Sequence, residues 1–182
     1  MFFSRRGDDG FTDLLGGQRL AKESLRIHAL GDMDEATSAI GLARALALEA
    51  DTKAALLHVQ KDLYLLMADI ATVEGRMAGQ QRLAEDAVQQ LETIIASFDP
   101  RVTIPKEFVA TGDSVPGAAL DVARAVVRRA ERTVTHLFHS GEGANQTMIT
   151  YLNRLSSLLF GLARFEDTAA GTAPTISKTI TQ

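Results

Sequence analysis

The segment from Asp121 to Thr135 has the period of a helix that buries one face. The apolar residues in and around it recur at steps of three and four: Leu120, Ala123, Val127, Ala130, Val134 and Leu137. This spacing places the six side chains along one stripe of an α-helix. A second stripe lies one position further along and carries charge: Arg124, Arg128, Glu131 and Thr135. The segment therefore predicts a packed helix with charged groups at the margin of its buried face.

Four arginines crowd this charged margin, because Arg129 and Arg132 accompany the two arginines of the stripe. Guanidinium groups at this density repel one another unless an anion or a carboxylate lies among them, and their planar donors suit phosphate oxygens. A bound polyphosphate is one interpretation. The other is a solvated basic face that pairs with acidic neighbours. The segment by itself leaves both open.

Length, composition and charge narrow the class of protein. A chain of 182 residues suits one domain that buries roughly 70% of its unfolded surface. With no cysteine, disulfides and thiolate metal sites are excluded, and the four histidines have no metal-ligand spacing. The net charge of −4 argues against a general nucleic-acid binder and favours a small anionic ligand. No apolar run suits a bilayer span or a signal peptide, so we expect a cytoplasmic protein without membrane contact.

Helical periodicity recurs in four further segments, and no segment has the alternation of a convincing strand. Asp32, with Glu35 three residues later, resembles a capping box that opens the first helix. The predicted helices run from about residue 32 to 49, 51 to 75, 84 to 98, 117 to 139 and 145 to 164. We therefore expect an all-α, up-and-down bundle of five helices in a single domain, residues 1–165, followed by a flexible polar tail, residues 166–182.

Two irregular segments carry groups suited to a site. Near the N-terminus, glycines lie among the hydroxyls of Ser4 and Thr12 and among cationic side chains that include Lys22 and Arg26. Such a loop can cradle a phosphate or can be a plain surface loop. Residues 101–117 form a long loop without a period, which is typical of functional segments. Phe108 in its middle either serves such a function or pins the loop to the core.

Three separated segments resemble the trimeric, PduO-type ATP:cob(I)alamin adenosyltransferases. They are SRRGDDGFTDLLGGQRLAKESLR followed by ALGDMDEATSAIG, then VARAVVRRAER, and finally YLNRLSSLLFGLAR. Their order, spacing and helical context agree with that family over roughly residues 3 to 165. The resemblance implies a homotrimeric, ferritin-like bundle with an active site at each subunit interface.

The resemblance also assigns roles to individual residues. Asp34 and Arg124 would pair across the subunit interface. The alternative explanation of Asp34 is the helix dipole, because the first predicted helix has Asp34 in its first turn, where a carboxylate is favourable. Magnesium would arrive with ATP, without a metal ligand assigned to the protein. The residues implied around ATP are Ser4, Arg5, Arg6, Gly7, Thr12, Lys22, Arg128, Arg129, Glu131, Arg132 and Asn153.

Two aromatic residues are implied for the corrinoid. Phe108 would lie beneath the corrin ring and displace the lower axial ligand of cobalt, while Phe160 would line the same pocket. Asp34, Arg124 and Phe108 are thus the implied catalytic residues. The implied reaction is attack of cob(I)alamin on the 5′ carbon of ATP, which gives adenosylcobalamin and triphosphate. A corrinoid reductase and an adenosylcobalamin-dependent enzyme are the implied partners.

The chain departs from the family pattern at several positions. Residues 111–113 replace a Pro-Gly-Gly turn, residues 35–37 replace Glu-Leu-Asn, Ser157 replaces an aspartate, and Asp121 stands where histidine is common. These departures motivate a second hypothesis, a non-catalytic relative that binds ATP or a corrinoid as a carrier, chaperone or sensor. A purely structural bundle is a third hypothesis, but it leaves the arginine stripe and Asn153 unexplained.

Overall fold

The apolar stripes of the sequence lie on helices that pack around one core. The computed structural model describes residues 5–15, 17–72, 83–143 and 145–178. Within these ranges α4 packs against α1 and α5, α2 packs on α1, and α3 packs on α5. The helices are α1 (Leu25–Leu46), α2 (Ala50–Ala71), α3 (Glu85–Phe98), α4 (Val115–His139) and α5 (Thr147–Ala169). The predicted bundle of five helices is therefore confirmed.

The buried face of α4 is the one that its periodicity predicts. All six residues of its apolar stripe, from Leu120 to Leu137, are 0% exposed. The predicted stripe of α5, from Met148 to Leu162, is equally enclosed. Burial of each large apolar side chain contributes about 1.5–3 kcal/mol, so these facing stripes supply much of the driving force for the bundle. The predicted end of the second helix, near Gly75, lies outside the described residues.

Helix α1 begins at Leu25, seven residues before the start that the sequence predicts at Asp32. The predicted capping box is wrong, because Asp32 lies inside the helix and its carboxylate accepts a hydrogen bond of 2.5 Å from the Thr133 hydroxyl on α4. Glu35, one turn further along α1, forms an ion pair with Arg129, which is also on α4. The pairs 32–133 and 35–129 show that α1 and α4 run in opposite directions. Tertiary contacts thus occupy the side chains that resemble a cap in the sequence.

Short strands, which the sequence did not predict, flank the bundle at two places. An antiparallel pair joins β1 (Phe11–Asp13) to β2 (Arg19–Ala21) in the N-terminal loop. A second antiparallel pair joins β3 (Phe108–Val109) to β4 (Ile176–Lys178). A parallel bridge between Leu15 and Thr72 ties the N-terminal hairpin to the end of α2. The hairpin therefore has a fixed place beside one end of the bundle.

The segment that the sequence predicts as a polar tail is in part integrated into the fold. Helix α5 continues to Ala169, five residues beyond its predicted end. Glu166 is 0% exposed, and its carboxylate accepts hydrogen bonds from the amides of Leu48 (2.7 Å) and Glu49 (3.2 Å) at the start of α2. Beyond the helix, β4 pairs with β3. Residues 166–178 thus belong to the hydrogen-bonded structure.

Arg26 is a structural residue and does not add charge around the N-terminal loop as the sequence suggested. It is 6% exposed, and its guanidinium donates to the carbonyls of Ile70 (2.6 Å) and Thr72 (3.3 Å) at the end of α2 and to that of Glu142 beyond α4. Burial lowers the pKa of Arg26, and the charge of Glu142 partly offsets this. Helix ends leave carbonyls without intrahelical partners, and Arg26 satisfies them.

Candidate active site

Arg128 and Arg132 present cationic groups to solvent one turn apart on α4. Arg132 donates from Nη1 to the carbonyl oxygen of Arg128 at 2.9 Å. Within the described ranges the side chain of Arg128 has no hydrogen bond or ion pair, and both side chains are exposed. An exposed guanidinium without an internal carboxylate keeps its donors for an external anion. The polyphosphate interpretation of the charged stripe thus fits these two residues.

Arg129 faces α1 instead. Its Nε lies 3.6 Å from Oδ1 of Asp32, and its Nη2 forms an ion pair with Glu35. The hydrogen bond and negative charge of Glu35 raise the pKa of Arg129, and Asp32 adds to this effect against partial desolvation. Pairing with acidic neighbours, the alternative interpretation of the stripe, therefore describes Arg129. Its assignment to ATP stays a prediction.

Glu131 and Asn153 connect the two helices that carry the predicted ATP site. The Nδ2 of Asn153 donates to Oε1 of Glu131 at 3.2 Å, and its Oδ1 accepts from Arg154 at 3.1 Å. Arg154 in turn contacts Glu92 of α3 at 2.9 Å. Asn153 is exposed on α5, although Leu152 and Leu155 beside it in the sequence are buried. The structure brings Asn153 and Glu131 together beside the exposed arginines.

A buried ion network that the sequence did not predict lies at the other end of α4. Arg164 of α5 donates to Asp121 at 2.8 Å and to Asp167 at 2.9 Å. Asp167 accepts a further hydrogen bond of 2.6 Å from the hydroxyl of Ser114, which caps α4. At the edge of this network, Nε of Arg124 lies 3.6 Å from Oδ1 of Asp121. The only sequence signal was the helical spacing of three between 121 and 124 and between 164 and 167.

Asp34 and Arg124 are not brought together within one chain. Asp34 is exposed on α1, and its carboxylate has no hydrogen bond or ion pair among the described residues. Arg124 contacts Asp121 of its own helix, and its side chain is 30% exposed. The predicted contact between Asp34 and Arg124 joins two subunits, so it stays a prediction.

The N-terminal hairpin holds several of the residues implied around ATP. Lys22 donates from Nζ to the carbonyl of Gly7 at 2.7 Å, and a Cβ at Gly7 would lie only 3.0 Å from that nitrogen. Arg6 is an exposed residue whose guanidinium lies 3.0 Å from Asp13. Thr12 lies on β1 opposite Leu20. The Lys22 ammonium is the end of a flexible side chain, so it can shift by the few tenths of an ångström that a Cβ at position 7 would need.

Another of the implied ATP residues lies before strand β1 of this hairpin. Arg5 is exposed and has a positive φ of 59°, a backbone conformation that residues other than glycine rarely adopt. Ser4 lies outside the described residues. Arg19, which the sequence interpretation did not select, forms a 2.7 Å ion pair with Asp9 across the hairpin.

Phe108 is 61% exposed, so the alternative in which it pins the loop to the core is wrong. The loop is instead held by hydrogen bonds to the segment that contains β4. The Phe108 carbonyl accepts from the Ser177 hydroxyl at 3.0 Å, and Asp113 accepts from the amide of Thr175 at 3.0 Å. Hydrogen bonds from the side chain and backbone of Thr175 lower the pKa of Asp113. The aromatic ring is thereby presented on a strand and not buried.

Phe160 lies on the wall of an apolar cleft between α3, α5 and the loop that follows α3. The cleft has a volume of about 350 Å³, and its lining includes Phe98, Ile104 and Ser157. The guanidinium carbon of Arg164 lies 5.6 Å from the centre of the Phe160 ring. A half-buried aromatic wall in an apolar cleft suits a flat apolar ligand.

The described part of the chain lacks both a metal-binding cluster and a membrane-spanning helix. Among the described residues, no group of three or more His, Cys, Asp or Glu side chains is arranged to hold a metal ion. In the same ranges, no helix combines the length and the apolar character needed to cross a bilayer.

The fold and the site define a class, a five-helix bundle with exposed guanidinium groups beside an amide–carboxylate pair and with an aromatic cleft. The chain belongs to the cobalamin adenosyltransferase family, whose model matches residues 2–166. A relative from Cupriavidus metallidurans, named cobalamin adenosyltransferase, is 41% identical over 169 residues, which cover 92% of this chain and 89% of the relative. The corrinoid adenosyltransferase of Bacillus subtilis is 38% identical over 173 residues, 93% and 88% of the two chains.

Solved structures agree with this assignment. A phenylalanine-to-alanine variant of the PduO-type ATP:corrinoid adenosyltransferase from Lactobacillus reuteri, complexed with cobalamin and ATP, has a TM-score of 0.88 and 27% identity. The match covers 98% of this chain and 100% of that one. An arginine-to-lysine variant complexed with ATP has a TM-score of 0.85 at 27% identity, with 97% and 100% of the chains covered. The predicted family, helical fold and transferase class are thus confirmed.

Proposed function

We propose that this protein transfers the 5′-deoxyadenosyl group of ATP to the cobalt of cob(I)alamin, giving adenosylcobalamin and triphosphate. The observation that carries the proposal is the pair of exposed arginines, Arg128 and Arg132, beside the hydrogen-bonded Glu131 and Asn153. Membership of the cobalamin adenosyltransferase family supports it. ATP and the corrinoid are both substrates of this reaction.

The arginines act on the triphosphate. In the reaction the Co(I) electron pair forms a bond to the 5′ carbon of ATP while the bond from that carbon to the phosphate oxygen breaks. The departing oxygen carries away the electron pair, so negative charge accumulates on triphosphate. Arg128 and Arg132, with Arg5, Arg6 and Lys22 from a hairpin, would stabilise this charge, and ATP would arrive as its magnesium complex. Preorganised charges of this kind are a major source of rate enhancement.

The aromatic residues act on the corrinoid. The cleft that Phe160 lines and the exposed ring of Phe108 provide apolar surface for a corrin ring. An apolar surface beneath the ring would exclude water and other axial ligands from cobalt. Loss of the lower ligand would make Co(II) easier to reduce, which is a way in which a protein tunes the chemistry of a cofactor-like substrate.

We further propose that the site is completed between the subunits of a homotrimer. The hairpin is tied to Thr72 at the end of α2, and Arg26 joins that end of the bundle to Glu142, just beyond α4. Arg128 lies about 16 Å along α4 from the last residue of α4, His139. Asp34 and Arg124, each partly or fully exposed, would then meet across the interface. Rotational assembly brings different surfaces of the same chain together in this way. A cytoplasmic location, a corrinoid reductase and an adenosylcobalamin-dependent acceptor enzyme complete the proposal.

An anaerobic assay with chemically reduced cobalamin, ATP and Mg²⁺ tests the proposed function. The absorbance change on formation of the cobalt–carbon bond reports turnover. Arg128→Ala should raise the KM for ATP about 10- to 100-fold, because one charge-assisted hydrogen bond contributes about 1.5–3 kcal/mol. Lys61→Ala, an exposed cation on α2, is the matched control and should leave KM unchanged.

The outcomes separate the two hypotheses about function. Turnover in wild type that depends on Arg128 supports the transferase. Binding of ATP and cobalamin without turnover would instead favour the non-catalytic carrier or sensor. Residues 111–113 and Ser157 would then be the first positions to change to the residues of the family pattern. An ATP affinity of Arg128→Ala equal to that of wild type would contradict the assignment of the site.

A further inference from the structure

We infer that Asp121 is a positioning residue for Arg124. In this arrangement the carboxylate of Asp121 holds the Nε edge of the Arg124 guanidinium, and the outer edge of that group is left to face a neighbouring subunit. The inference rests on the proposed function, because it gives Arg124 a defined orientation at the interfacial site.

The distances and burial of the two groups support this role. Oδ1 of Asp121 and Nε of Arg124 lie 3.6 Å apart, and neither atom has a hydrogen-bond partner among the described residues. Asp121 has only 4% of its side chain exposed, whereas Arg124 has 30%. The enclosed edge of the guanidinium therefore faces Asp121, while part of the side chain reaches solvent. A buried charge is retained at low cost only when a partner neutralises it.

The charge balance explains why Arg124 is held. Two enclosed carboxylates, Asp121 and Asp167, share the single buried guanidinium of Arg164. The three groups carry a net formal charge of −1, and Asp113 adds negative charge near Arg164, so Arg124 supplies a cation beside Asp121. Because the pair Arg164–Asp121 is fixed at 2.8 Å inside the bundle, Asp121 cannot turn away from Arg124 without losing its buried partner.

The same network supports the loop that carries Phe108. Asp167 accepts from the hydroxyl of Ser114, the last residue before α4, and Ser114 also accepts from the amide of Gly117 at 3.0 Å. Arg164 lies against the ring of Phe160. One buried cluster thus supports Arg124, on the ATP side of the proposed site, and the aromatic residues on the corrinoid side.

Two kinds of measurement test the inference, and Glu166→Gln provides the matched control. Glu166 is as deeply buried as Asp121 and lies next to Asp167 in the sequence. Its carboxylate accepts hydrogen bonds from the amides just before α2 and makes none to Arg164. Asp121→Asn and Glu166→Gln should both lower the melting temperature. Only Asp121→Asn should lower kcat, by about 10-fold or more with the KM for ATP changed less than about twofold, because misplacement of a site group reduces turnover.

A double-variant comparison on the ligand-free protein keeps the inference independent of activity. Asp121→Asn, Arg124→Met and their combination are compared by thermal unfolding, and the combined loss in melting temperature should be smaller than the sum of the single losses. Additive losses would overturn the inference, as would a kcat of Asp121→Asn equal to that of Glu166→Gln. Absence of turnover in wild type would reject the proposed function instead, and the unfolding comparison would still decide on the contact.

Discussion

Replacing Gly117 with alanine is expected to destabilise the protein, although Gly117 lies in a helix. A Cβ at this position would overlap Oδ1 of Asp167 and would lie 2.8 Å from its Cγ and 2.9 Å from Oγ of Ser114. Asp167 is 1% exposed, so its carboxylate has little room to retreat. The substitution therefore forces Asp167 away from the groups that it now contacts.

The expected loss in the free energy of unfolding follows from the hydrogen bonds that the Cβ would disturb. Displacement of the carboxylate breaks the 2.6 Å bond from Ser114 and weakens the 2.9 Å bond from Arg164. One such bond to a charged group contributes about 1.5–3 kcal/mol, and a weakened second bond adds to that loss. The higher helix propensity of alanine offsets at most about 1 kcal/mol of this loss. We expect a net loss of about 3 kcal/mol, equivalent to about 6–12 °C in melting temperature for a domain of this size.

Urea and thermal unfolding at one fixed protein concentration would measure this loss. Gly31→Ala is the matched control, because Gly31 is a helical glycine of α1 and a Cβ added there would have no neighbouring atom within 4 Å. It should stabilise the protein by up to about 1 kcal/mol. A Gly117→Ala variant as stable as wild type, with the control behaving as expected, would refute the packing argument.

Three further changes test other parts of the structure. Tyr151→Phe removes the hydroxyl that donates to buried Asp62 at 2.7 Å and should lower the free energy of unfolding by about 1–3 kcal/mol in urea; an unchanged value would contradict the role of this bond. Thr175→Val should raise the pKa of Asp113 toward its ordinary value in an NMR titration. Because that pKa is lowered in the folded state, the associated stability is present above the unfolded-state pKa and is lost as pH falls through the folded one, and the variant should show less of this acid-side loss. Phe108→Ala should preserve ATP affinity by calorimetry yet reduce turnover that starts from Co(II), and loss of ATP binding would count against the assigned role.

Helical periodicity was sufficient to predict the bundle. The stripe from Leu120 to Leu137 is fully buried as expected, because a period of 3.6 residues places those side chains on one face whatever they pack against. The exposure of Arg128 was also predictable, since a position one residue beyond the stripe lies at the edge of the contact. The three family segments, located by residue identity, led to the confirmed family.

Contacts between residues far apart in sequence were not predictable in this way. Asp32 has the sequence context of a helix cap, but Thr133, 101 residues away, provides its partner inside the helix. The pairing of β3 with β4 depends on a segment about 70 residues later that looks like a polar tail.

The sequence by itself determined the helices, their buried faces and the family, because these depend on local spacing and on residue identity. Only the tertiary structure decided which arginines remain free. Arg26 and Arg164 are buried on carbonyls and carboxylates, Arg129 pairs with α1, and Arg128 stays exposed. An arginine in a sequence carries the same charge in each case, and its function depends on whether the fold brings a carboxylate or carbonyl to it.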